Sequence, residues 1–324
     1  MLSPVVIVAF ILAGLFFGSQ FIPQKFCPDF DTKPYNLSMI IGIIIATFIT
    51  AAFSLIESQI SGNVPKIELG VTEVLLCIGA GVIWSLGNFF ILSAISKIGI
   101  SRTFPIVNLV IVVTFFAGTI FLGELESINY VITLLLIFGI ASVLVGSFFT
   151  SKATSKEERV TRDVKGGVVA ALYSIIFFGL YNVPILISLR TETWSAYLAV
   201  FFLSLGALIG VIIFGLIWLR KRYLELWYQA KKKYHLLAIT GGILWGLGQL
   251  FATITMTYIG VAIGAPLIQG FVIVVGAVWG LVVFKELRDI PLSKQRKARI
   301  VLLVGCGFAL IGSLVMGYIA SLLY

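Results

Sequence analysis

Amide and indole side chains interrupt long apolar stretches of this sequence, in which no charged residue lies far from an end. Trp84 precedes Asn88 by four residues and Trp245 precedes Gln249 by the same spacing, so in a helix each indole shares a face with an amide. Amides donate to and accept from hydroxyl groups, and an indole offers an apolar face to the C–H groups of a sugar ring. This chemistry suits a neutral, hydroxyl-rich solute. The candidate binding residues are Gln20, Trp84, Asn88, Asn108, Tyr181, Asn182, Trp245, Gln249 and Gln269.

The lack of charges deep in the apolar stretches argues against several kinds of site. A cationic-drug antiporter needs a buried carboxylate, and a carrier of phosphorylated sugars needs Lys or Arg in its cavity. The sequence shows no paired catalytic groups, so we predict neither an enzyme nor a bound metal or cofactor. The cysteines, Cys27, Cys77 and Cys306, lack paired spacing and predict no disulfide. The amides also have a purely structural alternative, since Asn and Gln often join membrane helices through hydrogen bonds.

The apolar stretches are long enough to cross a bilayer. The chain of 324 residues is 60% hydrophobic and 11% charged, whereas a soluble domain carries about a quarter charged residues. Runs of roughly 20 apolar residues cross the hydrocarbon core as helices, because lipid offers the backbone no hydrogen-bond partner. We therefore predict an all-α protein with ten transmembrane helices. The expected spans are at about 4–23, 36–56, 74–96, 102–122, 129–149, 166–188, 195–218, 236–257, 263–284 and 298–320.

The positive charges are confined to alternate loops. Of the 23 Lys and Arg residues, 21 lie in or beside the loops that follow odd-numbered spans. By the positive-inside rule these loops are cytoplasmic, and with ten spans both termini then face outside. The same distribution accounts for the net charge of +9 without a nucleic-acid partner. We expect a multi-pass protein of the cell membrane, with the lipid bilayer as its surroundings.

The chain repeats itself after 161 residues. "FFGSQFIPQK" recurs as "FFGLYNVPIL" and "GVIWSLGNFF" recurs as "GILWGLGQLF", and the same register pairs Asn108 with Gln269. Each copy contains five spans, an odd number, so the two copies enter the membrane from opposite sides, as in the inverted repeats of secondary transporters. We predict a first repeat at 1–150, a cytoplasmic linker at 151–165 and a second repeat at 166–324.

The ends of spans one and six carry the candidate gating residues. Gly18 is followed five residues later by Pro23, and Gly179 by Pro184. Small residues let helices approach closely, and proline breaks or kinks a helix. These residues are therefore either hinges of two gates or close-packing positions and helix ends. The polar candidates fall on spans one, three, four, six, eight and nine, so we expect the other four spans to form the outer wall.

Three stretches give the chain a family resemblance, namely "GSQFIPQK", "IWSLGNFFILSAISKIGIS" and "GVAIGAPLIQG". Two repeats of five spans resemble the drug/metabolite transporter superfamily, including its EamA-like members. The three stretches are similar to those of the glucose/ribose porter family of sugar uptake proteins. The resemblance implies a cavity built by spans one, three, four, six, eight and nine, and sugar uptake that is driven by protons in some members. Since no carboxylate lies within a span, proton coupling here would depend on a group such as Glu73, near the start of span three.

The residues and the resemblance together predict a transporter that moves a neutral monosaccharide, such as glucose, by alternating access. An exporter of amino acids or other small metabolites is the alternative within transport.

Overall fold

The computed structural model describes residues 3–27, 29–60, 70–98, 103, 106–124, 128–154, 163–190, 195–285 and 292–324. Within these ranges the regular structure is helical, and no β-strand is present. The helices are α1 Pro4–Ser19, α2 Ile22–Lys25, α3 Thr32–Ile60, α4 Val71–Ile98, α5 Val110–Leu122, α6 Tyr130–Thr154, α7 Val164–Leu180, α8 Asn182–Ser188, α9 Ala196–Leu219, α10 Lys221–Gln229, α11 Lys232–Ile259, α12 Val261–Val278 and α13 Leu292–Leu323, and a π-helical turn at Trp279–Val283 follows α12.

Nine segments of the described chain are long and apolar enough to cross a membrane. They coincide with predicted spans one to three and five to ten. At the fourth span the described helix is α5, which has 13 residues. Pro105 lies 161 residues before Pro266, at the equivalent position of the sequence repeat, and is outside the described residues. Large apolar side chains are exposed on the helices, including Phe53 at 67% and Leu314 at 73%. Such a surface fits lipid rather than water, and the protein is a multi-pass integral membrane protein.

Short side chains and glycine set the helix ends. Ser195 accepts a hydrogen bond from the N–H of Leu198 at the start of α9, and Asp163 accepts one from Gly166 at the start of α7. These bonds satisfy N–H groups that have no partner within the helix. α5 ends at Gly123, whose φ of 67° lies in the left-handed region that favours glycine.

Glycines also allow helices to touch along their backbones. A Cβ at Gly42 of α3 would overlap the carbonyl of Ile239 on α11, and a Cβ at Gly206 of α9 would overlap the carbonyl of Ile78 on α4. Lipid tails are as apolar as leucine, so helices in a bilayer associate through close packing rather than through the hydrophobic effect. These two crossings therefore stabilise the bundle.

The largest buried cluster lies where α3, α4, α9 and α11 meet. Ile40, Ile43 and Leu203 are fully buried there, and Trp84 and Trp245 belong to the same cluster. A second buried cluster is built mainly by α6, α12 and α13. The first cluster positions the two tryptophans of the candidate site against each other.

A carboxylate at the end of α5 caps a helix far along the chain. Glu124 accepts hydrogen bonds from the N–H groups of Val261 and Ala262, both at 2.8 Å, at the start of α12. The turn before α12 is made by Gly260, with a φ of 76°. Burial raises the pKa of Glu124, while the two N–H groups and the nearby Arg190 oppose this rise. The cap holds the end of α5 against the start of α12.

Ion pairs join loops at the other end of the bundle. Lys97 lies 2.7 Å from Asp163, and Lys231 lies 3.4 Å from Asp29. All four residues belong to loops that follow odd-numbered spans, whereas the contacts of Glu124 join loops that follow even-numbered spans. We call the first end the basic face. These pairs are partly or largely exposed and add little stability, but they show that alternate loops meet on the same face.

Candidate functional site

Two helices are interrupted at equivalent positions of the repeat. The break between α1 and α2 lies just before Pro23, and the break between α7 and α8 lies just before Pro184. Proline has no N–H to donate to the carbonyl four residues earlier, which belongs here to the last residue of α1 and of α7. Both prolines therefore mark helix interruptions. Gln20 and Tyr181, two of the predicted binding residues, lie within these breaks.

The two candidate gating glycines are close-packing positions. A Cβ at Gly18 would lie 2.6 Å from the Cβ of Val275 on α12, and a Cβ at Gly179 would overlap Val113 on α5. Larger residues at these positions would push the broken helices away from their neighbours. Whether the glycines also act as hinges stays a prediction.

The predicted tryptophans contact each other. The ring centroids of Trp84 and Trp245 are 4.6 Å apart and the planes are inclined by 51°. Phe178 flanks Trp84 with a centroid distance of 6.5 Å, and Phe17 flanks Trp245 at 6.1 Å. Both indoles are at least 95% buried. They form an aromatic centre between α4 and α11.

Tyr181, Asn182 and Gln249 form a hydrogen-bonded group that we call the bonded cluster. The Tyr181 hydroxyl donates to Gln249 Oε1 at 2.8 Å. Gln249 Nε2 donates to Asn182 Oδ1 and to Thr253 Oγ1, both at 3.2 Å. Gln249 is completely buried, and these bonds satisfy both of its amide atoms. The cluster joins α11 to the break between α7 and α8.

Asn88 and Asn36 form a second group, the open cluster. Asn88 Nδ2 donates to Asn36 Oδ1 over 3.4 Å, a long hydrogen bond. Asn36 is 4% exposed, and its Nδ2 has no hydrogen-bond partner among the described residues. Reversing the Asn36 amide would leave its oxygen unpaired instead. Gln20 occupies the repeat position equivalent to Tyr181, yet it makes no hydrogen bond to Asn88 in the described part of the chain.

The two clusters lie at different depths. α3 begins and α4 ends at the basic face, so Asn36 and Asn88 lie in the half of the bundle nearer that face. α7 and α11 begin at the basic face, and Tyr181 and Gln249 lie in their later parts. The bonded cluster is therefore nearer the face opposite the basic one, and the aromatic centre lies between the two groups along α4 and α11.

Asn108 and Gln269 form a separate pair. Gln269 Nε2 donates to Asn108 Oδ1 at 3.0 Å, and Asn108 Nδ2 donates to Ser147 on α6. The two amides are 161 residues apart, so each contacts its own equivalent in the repeat. No hydrogen bond between described residues joins this pair to the bonded or the open cluster.

Asn36 and Ser147 were not among the residues predicted from the sequence. They lie on predicted spans two and five and bond to Asn88 and Asn108, so these spans also contact the candidate residues, and their place as an outer wall stays a prediction. Asn36 is close to the start of α3, where an amide looks like an interfacial residue in the sequence. Only its contact with Asn88 and its burial reveal its place, and no pattern in the sequence signals either.

The candidate site is uncharged. The side chains that make up the clusters are amides, hydroxyls and indoles, and none of their described hydrogen bonds involves a charged side chain. Glu73, considered above for proton coupling, lies in the first turn of α4, far along the helix from Asn88. The arrangement can therefore donate to and accept from hydroxyl groups, but it offers no fixed counter-charge to an ion.

A sequence profile for the family described as "Sugar transport protein" matches residues 30–319. The chain belongs to this family. The match takes in both clusters, the tryptophan pair and the Asn108–Gln269 pair, and leaves out Gly18, Gln20 and Pro23.

Named relatives of this sugar transport family member are sugar uptake proteins. The probable glucose uptake protein GlcU of Bacillus anthracis is 24% identical over 316 residues, which cover 96% of this chain and 98% of that protein. A putative sugar uptake protein of Enterococcus faecalis is 25% identical over 263 residues, covering 79% and 83%. The probable glucose uptake protein GlcU of Priestia megaterium is 27% identical over 249 residues, covering 75% and 78%.

A solved crystal structure has a similar fold. It aligns with 97% of this chain and 98% of its own, with a TM-score of 0.67 and a sequence identity of 14%. At this identity the likeness concerns the fold alone.

Proposed function

We propose that this protein is a secondary transporter that moves a neutral monosaccharide resembling glucose across the membrane by alternating access. The observation that carries the proposal is the uncharged set of amides, hydroxyls and indoles around the Trp84–Trp245 pair, in a chain of the sugar transport protein family. The names of the relatives, which specify glucose uptake, support the choice of solute. We assign the chain to transport and not to an enzyme.

The unpaired amide of Asn36 supports a hydroxyl-bearing ligand. A buried N–H group without an acceptor costs about 1–3 kcal/mol, and such groups are rare in folded proteins. A sugar hydroxyl that approaches Asn88 could accept this N–H group and relieve the cost. The neighbouring indoles offer apolar faces to the C–H groups of the ring.

We propose an inverted repeat of 1–150 and 166–324, joined by the linker 151–165, as in the drug/metabolite transporter superfamily. Contacts that recur with the halves exchanged support it. Gly87 lies against Phe178, and Gly248 lies against Phe17, with both members shifted by 161 residues.

The contrast between the two clusters supports alternating access between the repeats. The bonded cluster would close the path on one face, while the open cluster leaves the path less tightly closed on the basic face. If the two clusters exchanged their arrangements, the path would close on the basic face and the solute site would open to the opposite face. In this proposal the basic face is cytoplasmic, both termini are outside, and Pro23 and Pro184 mark the moving segments.

Solute exchange tests the proposal. The purified protein is reconstituted into proteoliposomes preloaded with sugars, amino acids or nucleosides, and uptake of radiolabelled glucose is measured without an ion gradient. We expect uptake only into vesicles preloaded with sugars. Uptake driven by an amino-acid preload would favour the metabolite exporter, and absence of glucose exchange under every sugar preload would refute the assignment to glucose.

A proton gradient imposed on the same vesicles tests coupling. Accumulation of glucose above its external concentration when the outside is acidic would establish proton-driven uptake. Equilibration without accumulation would establish facilitated exchange.

A further inference from the structure

A cavity of about 300 Å³ opens on the basic face, between the start of α3, the end of α4 and the start of α7. Its lining includes two charged side chains, Lys33 and Lys97, and the hydroxyl of Ser93. The remaining lining residues are glycine, alanine, valine, phenylalanine and tyrosine. No carboxylate is among the lining residues that the structure describes.

Two carboxylates of the described chain, Asp163 and Asp31, have partners at the rim of the cavity. Asp163 Oδ2 lies 2.7 Å from Lys97 Nζ, and its other oxygen accepts a hydrogen bond from the N–H of Gly166 at 2.9 Å. Asp31 accepts a hydrogen bond from the backbone N–H of Lys33 at 3.0 Å and is exposed. Among the described residues, Lys97 is therefore paired with Asp163 at the edge of the cavity, and Lys33 adds a second positive charge to the lining.

One wall of the cavity is aromatic and faces lipid. Phe90 stacks on Tyr173 with a centroid distance of 5.2 Å and on Phe177 at 5.7 Å. Tyr173 is 49% exposed and Val169 is 42% exposed. Tyr173 lies about 14 Å along α7 from Val164, at the depth of the acyl chains, whereas Lys33 and Lys97 line the end of the cavity at the basic face. The cavity is thus positioned between headgroups and acyl chains.

The cavity is separate from the candidate solute site. At 3.6 residues per turn, Ser93 and Lys97 project from α4 about 140° and about 180° away from Asn88. Asn88 and Trp84 contact Asn36, Phe178 and Trp245, and none of these three residues lines the cavity. The cavity lining therefore shares no residue with the two clusters or with the tryptophan pair.

We infer that this cavity binds the headgroup of an anionic glycerophospholipid from the leaflet at the basic face. Lys33 and Lys97 attract the phosphate, and an acyl chain lies along Tyr173 and Val169. Basic recesses between transmembrane helices are suited to anionic headgroups, because phosphate is attracted by ammonium groups while the chains remain in lipid. α4 and α7 come from different halves of the chain, so the bound lipid contacts both.

Native mass spectrometry of the full-length protein tests the inference. The protein is titrated with phosphatidylglycerol, with zwitterionic phosphatidylcholine and with soluble glycerol phosphate. We expect one phosphatidylglycerol molecule to be retained in preference to phosphatidylcholine. Lys33→Gln should weaken its retention about fivefold, the effect of about one surface lysine near an anionic headgroup. Lys33→Arg should restore it.

Lys232→Gln is the matched control, because Lys232 is an exposed lysine on the same face at the start of α11. Equal losses in Lys33→Gln and Lys232→Gln would show general attraction of the basic face and overturn the site. Equal retention of phosphatidylcholine would overturn the anionic headgroup. Displacement of the lipid by glycerol phosphate at similar concentration would assign the cavity to a soluble phosphate ester instead.

A photoactivatable phosphatidylglycerol locates the lipid independently of the substitutions. Crosslinks to peptides that contain Tyr173 or Lys33 support the cavity, and crosslinks confined to other helices contradict it. Because binding is read directly, a failure of sugar exchange would not affect this result, and the two proposals can fail separately.

Discussion

The amide of Asn36 is buried with one of its hydrogen-bonding atoms unused, next to the long bond from Asn88. In contrast, both amide atoms of Gln249 have partners, although Gln249 is the repeat equivalent of Asn88. Asn88 and Gln249, which are 161 residues apart, thus differ: Gln249 uses both amide atoms, whereas Asn88 makes one long bond, to Asn36. A solute hydroxyl that binds at the open cluster adds a hydrogen bond that the protein lacks, whereas at the bonded cluster it would have to replace an existing bond.

Replacement of Asn88 by alanine tests its role in the open cluster. We expect Asn88→Ala to reduce sugar exchange about tenfold or more, since one lost hydrogen bond to a bound solute is worth about 1.4 kcal/mol. The measurement is the initial rate of exchange in proteoliposomes at matched protein content.

Thr240→Val provides the control, because the hydroxyl of Thr240 is exposed and bonds the carbonyl of Leu236 within its own helix. This variant should exchange sugar at the normal rate. If Asn88→Ala has unchanged kinetics, Asn88 does not contact the solute.

The helices are held together by backbone contacts at glycine as well as by side chains. Gly206 on α9 touches the carbonyl of Ile78 on α4, while Gly79, the next residue of α4, has open space around its Cβ position. The two glycines therefore differ in what a methyl group would meet, although both lie inside transmembrane helices.

We expect Gly206→Ala to destabilise the protein by about 1–3 kcal/mol, because the added methyl group forces α9 away from α4. Gly79→Ala should be neutral or stabilising by up to about 1 kcal/mol, since alanine favours the helix and meets no neighbour. Thermal unfolding in detergent measures both. Equal melting temperatures for the two variants would contradict the close contact between α9 and α4.

Because Glu124 caps the start of α12, we expect the melting temperature of the protein to depend on pH. Burial raises the pKa of Glu124 above its ordinary value of 4.5. A raised pKa in the folded state means that its contribution to stability is present below the ordinary pKa and declines as the pH rises through the raised pKa. The melting temperature of the wild type should therefore fall over this interval.

Glu124→Gln should flatten this dependence, because glutamine keeps an acceptor oxygen but does not titrate. Glu225→Gln, at an exposed carboxylate of α10, should retain the wild-type profile. A profile for Glu124→Gln that matches the wild type would assign the pH effect to other groups.

Across the whole molecule, contacts of loops sort the helix ends into two faces. The pairs Lys97–Asp163 and Lys231–Asp29 lie on the face where the sequence concentrates Lys and Arg. Loop contacts of this kind define which ends lie together, whereas charge asymmetry predicts which face is cytoplasmic. The proposed orientation therefore depends on the distribution of charge.

A tag at the C-terminus tests the orientation. We expect it to react with an impermeant reagent in intact cells, because the C-terminus lies at the opposite end of α13 from the basic face. A tag between α10 and α11, near Lys231, should react only after lysis. The reverse pattern would place the basic face outside.

Much of the fold could be predicted from local sequence. Apolar stretches of about 20 residues dictate membrane-spanning helices wherever they occur, and Pro23 and Pro184 remove an N–H from their helices in any packing. The helix interruptions before these prolines follow directly. In contrast, the place of Asn36 depends on how α3 packs against α4, since the same amide at a free helix end would be hydrated.

The sequence by itself determined the helical membrane class, the positions of nine apolar spans in the described chain and the uncharged chemistry of the candidate residues, because these depend on local composition and on the cost of charge in lipid. Only the tertiary structure decided which residues meet. It brought Trp84 into contact with Trp245, gave partners to both amide atoms of Gln249 but not to Nδ2 of Asn36, and formed a cavity lined by Lys33 and Lys97 between α3, α4 and α7. These outcomes depend on the relative positions of helices distant in sequence, which close packing fixes and no single segment encodes.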